Sequence, residues 1–413
     1  MADLLIANAS QILTCARPGV APPYSGGAQA HLGIVEGGGV ACEDGRIVEI
    51  GPDAMKVQAE KTIDAKGGVV MPGFVDCHTH AVFVGSRSDE FEDRAKGVSY
   101  AEIARRGGGI AASMKMLREA SDEQLETAVR RNLDRFLALG TTTIEAKSGY
   151  GLNLDDELRS LHALGIQHDV EVVRTCLAAH TVPPEFAENR EAYVKLVCEE
   201  IFPAVVREGA AEYCDAFVEK GVFSFAEAQQ MLAAGKDAGL RPRVHADQFS
   251  HCGGARLACR VGAITADHLE FCTREDALAM KKAGVIAVLL PTANYVLDQE
   301  QRPPARAMIA LGCPVAIATD FNPGSSPTQS MWLAMNMACV RFGMSMAETI
   351  VAATINAACA AGAQKKVGSI QVGKQADLIV CEPSDHRDLA YYFGGNPVRA
   401  VVKRGRVVGP ATP

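Results

Sequence analysis

No C-x-x-C pair occurs anywhere in this chain of 413 residues, although 13 cysteines are scattered from Cys15 to Cys381. The length rules out a small disulfide-stapled module, and an odd, scattered set of cysteines is best explained by buried thiols in a reducing cytosol. Long basic runs are missing too: 41 Lys and Arg against 49 Asp and Glu leave a formal charge of −8. That balance argues against nucleic acid or an anionic membrane as a partner, and a small anionic substrate needs local cations to override it. No apolar stretch is long enough to span a bilayer; the most apolar uncharged one, Ala283 to Leu297, runs to about 15 residues and is broken by Pro291. The opening MADLLIANASQILT has no basic residue ahead of its apolar ones and does not read as a signal peptide, so a cytoplasmic protein is expected. The glycine runs at 37–39 and 107–109 lack both G-x-x-x-x-G-K-[ST] and G-x-G-x-x-G spacing and read as turn or loop glycine rather than phosphate cradles. No repeat of 20 to 50 residues is present.

What is there suits a large globular protein. At 43.7 kDa the chain exceeds what one core usually organises, so two domains, or a large α/β barrel with an accessory domain, are expected. Its 48% hydrophobic and 22% charged residues, with a mean hydropathy of +0.05, suffice for a large buried core. The first 70 residues are Gly-rich and β-branched, with Arg46-Ile47-Val48-Glu49-Ile50 following an Asp44-Gly45 turn signal. Near the other end, Ala376 to Val380 reads as a strand and Ala400 to Val408 as a hairpin turning at Arg404-Gly405. Both ends belong to one small β domain on this reading.

Between them, short apolar strands alternate with helical patterns, such as the one opened by Ser121 with Gln124 three residues on, a capping box. Eight strands are expected. They centre on Phe74-Val75-Asp76, Thr142-Thr143-Ile144, Val172-Val173-Arg174, Cys214-Asp215-Ala216, Arg243-Val244-His245, Thr265-Ala266-Asp267, Ala287-Val288-Leu289 and Ala316-Ile317-Ala318. Eight parallel strands with intervening helices give a (β/α)8 TIM-like barrel; a doubly wound open sheet is the alternative.

Polar residues recur at the C-terminal ends of these strands, where a barrel places its active site. Strand one ends Asp76-Cys77-His78-Thr79-His80, and side chains two apart share a face, so both histidines can meet one metal. Strand five ends His245-Ala246-Asp247-Gln248, strand six carries Asp267-His268, and strand eight ends Thr319-Asp320-Phe321-Asn322-Pro323-Gly324. Each residue alone could be a satisfied core histidine or a turn-initiating aspartate. Together, three imidazoles and a carboxylate suit a transition metal that keeps room for a water.

At this point the sequence resembles the amidohydrolase superfamily of metal-dependent barrel hydrolases, through almost its whole length. The segments that carry the resemblance are PGFVDCHTHAVFVGSRSDEF (Pro72 to Phe91), EAKSGYGL (Glu145 to Leu152), AAHTVPPEF (Ala178 to Phe186), HADQ (His245 to Gln248) and TDFNPGSSP (Thr319 to Pro327). It implies a barrel over residues 73–372 set into a β-sandwich built from residues 1–72 and 373–413. By position within these motifs it implies His78, His80, His245 and Asp320 as ligands of one transition-metal ion, zinc or iron, per chain. It likewise implies substrate or product contacts at Arg87, Tyr150, His180, Gln248, Asn322, Gly324 and Ser325, and a homodimer as a family-level expectation.

The implied reaction is hydrolysis of the ring amide of 4-imidazolone-5-propanoate, a small anion, to N-formimino-L-glutamate in histidine degradation. Arg87 offers the planar fork that binds a carboxylate through two bonds. Tyr150 and His180 are expected to donate hydrogen bonds to the substrate, and the small residues around Gly324 to bring backbone amides close to it. Asp320 is expected to move the proton, and His268 to polarise the carbonyl. Lys147, or Lys220 after strand four, leaves open a carbamylated lysine bridging two metals. A metal-dependent deaminase of a purine, pyrimidine or related ring is the competing activity. Such enzymes place glutamate where Gln248 stands, and an amide cannot shuttle protons. A binding protein that lost its chemistry is a third reading, against which every proposed ligand is present.

Overall fold

The computed structural model describes residues 1–98 and 100–409. Its centre is a run of eight parallel strands, each hydrogen-bonded to the next in chain order. They are β1 (Phe74–Thr79), β2 (Thr141–Lys147), β3 (Glu171–Ala179), β4 (Tyr213–Val218), β5 (Val244–Ala246), β6 (Thr265–His268), β7 (Ile286–Leu289) and β8 (Val315–Ile317). All eight are the strands read from the sequence, and the doubly wound alternative fails because β8 returns to β1. A parallel bridge between Thr79 and Phe321 joins them, with Asp320 N–H donating to His78 O (3.1 Å) and His80 N–H to Phe321 O (2.8 Å).

The strands are short and apolar because both faces are covered. Every residue of β2 and of β4 is buried, one face turned to the barrel interior and the other to the helices outside. Those helices are capped as the sequence leads one to expect. Ser121 and Gln124 form a reciprocal capping box at the start of Asp122–Ala138, and Ser224 with Glu227 does the same for Phe225–Ala238. The floor of the barrel is filled by Val75, Cys77, Val173, Ile286, Val288 and Ala316, packed against the alanine-rich helix Ile355–Ala360.

Both chain ends build two further sheets. One has four strands, in the order Arg46–Gly51, Gly39–Glu43, Ala2–Ala7, Ala59–Asp64; the other has six and joins Val69–Pro72 to Leu378–Cys381 and Val398–Lys403. The hairpins read from Asp44-Gly45 and Arg404-Gly405 are present, with φ of 48° and 73° in the first and 49° and 71° in the second. Positive φ at both central residues matches the right-handed twist of paired strands. Leu4, Ile6, Val40, Val70, Leu378 and Val402 fill the space between the two sheets. Among the described residues no helix is long and apolar enough to cross a membrane.

All 13 cysteines are free, nine of them buried and four half-buried. Burial pushes the Cys15 and Cys42 thiols up to about 12 and that of half-buried Cys198 to about 11, so thiolate is scarce at neutral pH. A small alkylating reagent should therefore modify no more than four thiols quickly in the native protein and all 13 in denaturant, as mass spectrometry would count. Fast native labelling of a larger number would contradict this packing.

Candidate active site

The polar strand ends meet at the C-terminal mouth of the barrel. His78 lies in β1 and His80 just beyond it. The pairing of β1 with β2 shifts register between Asp76 and Thr79, a bulge that re-aims the side chains beside it. His78 Nε2 and His80 Nε2 each lie 3.4 Å from Asp320 Oδ1, and the ligand atoms of His78, His245 and His268 fall within 4.8 Å of one another. All these donors are buried.

Carboxylates behind the rings set which nitrogen faces forward. Asp267 Oδ2 is 2.6 Å from His78 Nδ1, and Asp215 Oδ2 is 3.0 Å from His245 Nδ1. Asp267 accepts the His78 Nδ1–H, and Asp215 faces His245 Nδ1 as an ion-pair partner, so in both rings Nε2 is the nitrogen turned forward. The Nε2 atoms of His78 and His245 are buried with no hydrogen-bond partner among the described residues. An unsatisfied buried lone pair is costly, and a cation satisfies it. Burial also pushes the imidazoles of His78, His80 and His268 far below their usual range, which keeps them neutral and fit to ligate. The residue set thus fits a transition metal. On distance His268 is as well placed as the other donors. It differs from His78 and His245 behind the ring, where the nearest carboxylate oxygen, Glu270 Oε2, is 4.0 Å from Nδ1.

The same mouth holds a cavity of about 60 Å³ that opens to solvent. His80, His245, His268 and Asp320 line its inner end, with Arg87, Tyr150, His180, Gln248, Asn322 and Ser325 around them. Gly324 lies behind Arg87, and a Cβ there would come within 2.2 Å of the guanidinium. The bare backbone is what lets the fork lie flat against the loop. Arg87 also donates to Glu90 Oε2 at 2.6 Å, whose other oxygen accepts from Gly109 N–H at 3.0 Å.

Two local expectations change. The Gly324 and Ser325 amides do not point at a ligand, because Asn322 Oδ1 accepts both, at 2.8 and 2.7 Å. An Asn side chain folding back on the next turn outcompetes a distant ligand for these donors. His180 does not offer its Nδ1–H either, since that nitrogen lies 2.9 Å from Gly149 O and donates to it. With burial holding its imidazole down at about 3, the neutral ring presents Nε2 as an acceptor. Tyr150 sits on a loop anchored from below. Glu157 Oε1 accepts N–H bonds from Gly149, Gly151 and Leu152 at 3.2, 2.9 and 2.8 Å.

Other contributors had weaker sequence signals. Asp247, between His245 and Gln248, accepts four amide bonds from Cys252, Gly253, Gly254 and Ala255. It thereby caps the helix Gly254–Val261 and holds the loop that carries Gln248. Its φ of 53°, with 77° at His268 and 52° at Asp320, puts left-handed residues at three strand ends, the kind of strain that clusters at functional sites. Phe217, Phe249, Ile110 and Leu297 give the cavity its apolar wall. Only Phe217 had a local signal, two residues after Asp215 on the same face of β4.

The model of the amidohydrolase family matches residues 69–408. Imidazolonepropionase of Solibacter usitatus is 46% identical over 415 residues, covering 99% of both chains. That of Geobacillus kaustophilus is 46% identical over 418 residues, covering 99% of this chain and 98% of its own. Among solved structures, a zinc-bound adenosine deaminase from Xanthomonas campestris has a TM-score of 0.72 at 19% identity, over 99% of this chain and 93% of that one. E. coli guanine deaminase has the same TM-score at 14% identity, over 98% of each. Those two likenesses concern the fold alone, whereas full-length identity of this order extends to the family: the chain belongs to the amidohydrolase family and, within it, to the imidazolonepropionases.

Proposed function

We infer that this chain hydrolyses the ring amide of 4-imidazolone-5-propanoate to N-formimino-L-glutamate, with His78, His80, His245 and Asp320 holding one zinc or iron ion. The observation that carries this reading is that a single cavity is lined by His80, His245 and Asp320, with His78 packed beside them, and by a buried arginine fork, Arg87. A metal held there would supply Lewis acidity, which lowers the pKa of water to about 7.

The chain's own residues do the rest. Arg87 binds the propionate and so fixes which ring atoms face the inner end of the cavity. Buried Phe217 gives the ring an apolar wall that strengthens these polar contacts. His180 Nε2 accepts from a ring N–H, while the Tyr150 hydroxyl and the Gln248 amide hold polar edges of the ring. As water oxygen bonds to the carbonyl carbon, Asp320 takes one of its protons. Neutral His268 donates to the carbonyl oxygen as charge gathers there. The ring C–N bond then breaks, and Asp320 passes its proton to the leaving nitrogen, so that one water is added overall. Lys147 supports a single ion: its amine is an ammonium enclosed by Glu145 and Asp215, each at 2.9 Å, unsuited to carbamylation, and Lys220 is exposed. Thirteen unpaired thiols favour a reducing cytosol.

The test is product analysis. Incubation with imidazolone propionate should yield formiminoglutamate and no ammonia, because Gln248 cannot supply the titrating acid that deamination needs. Ammonia released from an aminopurine or cytosine faster than the imidazolone is opened would transfer the assignment to a deaminase.

A further inference from the structure

Below the proposed ligands lies a cluster of buried charge for which the reaction above has no use. Lys147, the last residue of β2, has no exposed surface. Its Nζ is 2.9 Å from Glu145 Oε1, 2.9 Å from Asp215 Oδ2 and 3.8 Å from Asp267 Oδ2. Two of these oxygens are the ones already engaged with the histidines. Asp215 Oδ2 faces His245 Nδ1 at 3.0 Å, and Asp267 Oδ2 faces His78 Nδ1 at 2.6 Å. One ammonium therefore stands at the junction of two carboxylate–imidazole pairs whose members come from β1, β4, β5 and β6. Arg243 Nε approaches Glu145 Oε1 at 3.7 Å from the floor side. Burial works against the Lys147 ammonium, yet Asp215, Glu145 and Asp267 together raise its pKa above the ordinary lysine value. Such a buried charge is kept only where partners hold it.

We propose that Lys147 is a positioning residue of the metal centre: by holding Asp215 Oδ2 at close range and attracting Asp267 Oδ2 from 3.8 Å, it fixes the tilt and the Nδ1–H tautomer of His245 and His78 together. This rests on the reading of those two histidines as ligands. Asp215 is anchored at Oδ1 by the Ala216 and His245 amides, at 2.7 and 3.2 Å, and the ammonium holds the oxygen that faces the ring. Asp267 Oδ1 has no partner among the described residues, so that carboxylate is freer to rotate about its Cβ–Cγ bond, and the pull of the ammonium on Oδ2 restrains it and the ring with it. Lys147 does not line the cavity, so it acts through the histidines and touches no substrate.

The sign of the effect separates positioning from charge. Removing a positive group near a cation should by itself tighten metal binding, whereas losing the grip on two ligands should loosen it. The experiment uses enzyme loaded with Co²⁺ and challenged with a chelator, comparing wild type, Lys147→Met, and the charge-compensated pair Lys147→Met with Glu145→Gln. Both variants should release Co²⁺ at least about tenfold faster, with a changed ligand-field spectrum, and the compensated pair should do so with a Tm close to that of the wild type. If Lys147→Met does not fold, the compensated pair decides alone. Release that is unchanged or slower overturns the proposal, and so does release that returns to the wild-type rate along with Tm. His78→Ala is run beside them. If it loses Co²⁺ while the Lys147 variants hold it normally, this inference falls alone; if it also keeps Co²⁺, the ligand reading falls and takes this inference with it.

Discussion

Replacing His245 with alanine should remove metal and turnover in one step. The ring reaches the donor cluster from β5, and its centroid is 4.5 Å from that of His78 and 5.5 Å from that of His80. Without it the remaining donors no longer surround the site, and Asp215 loses the ring that faces it. Elemental analysis should find far less than one ion per chain. Turnover should fall by roughly 1,000-fold or more, the scale reached when even one preorganised electrostatic group is lost. Chelation of the wild-type protein should cause the same loss, reversibly on adding metal back, while alanine at this position should not respond. Full turnover in metal-free protein would reject the mechanism outright.

A different signature is expected at the other end of the cavity. Arg87→Lys keeps the charge and loses the fork, so kcat/KM should drop by about 10- to 100-fold, equivalent to roughly 1.5–3 kcal/mol for a charge-assisted hydrogen bond. Metal content should stay normal. Gly324→Ala should act through the same group, because its new methyl would meet the guanidinium at 2.2 Å and push the fork out of line. Loss of kcat/KM at normal metal content in both variants identifies Arg87 as the carboxylate clamp. A lysine variant with undiminished kcat/KM would assign that task elsewhere.

Much of this molecule is readable from local chemistry. The barrel strands show themselves as apolar runs between helical patterns, since a strand covered on both faces tolerates little polarity. The terminal hairpins show themselves through Asp44-Gly45 and Arg404-Gly405, where the turn demands positive φ. Histidine and aspartate at strand ends are equally visible, and the fold brings His78, His80, His245, His268 and Asp320 to one point, as their placement suggested. Hydrogen-bond direction is less legible. That His180 accepts, and that Asn322 takes the Gly324 and Ser325 amides for itself, depends on which neighbour wins a shared donor, and no residue type encodes that.

The amino-acid sequence by itself determined the strand count, the family and the identity of the groups at the mouth, because each follows from a short run of residues and its period. Tertiary structure alone decided how the buried charges pair. Glu145, Lys147, Asp215 and Asp267 come from three strands of the barrel wall, Arg243 directly precedes a fourth, and in the sequence they look like isolated polar residues among apolar runs. Closing the barrel removes them from water together and leaves one another, the histidines and a few backbone and threonine groups as their partners. In a low-dielectric interior an unpaired charge is too costly to keep. Pairing is therefore forced, but which oxygen meets which nitrogen depends on distances of a few tenths of an ångström across the barrel.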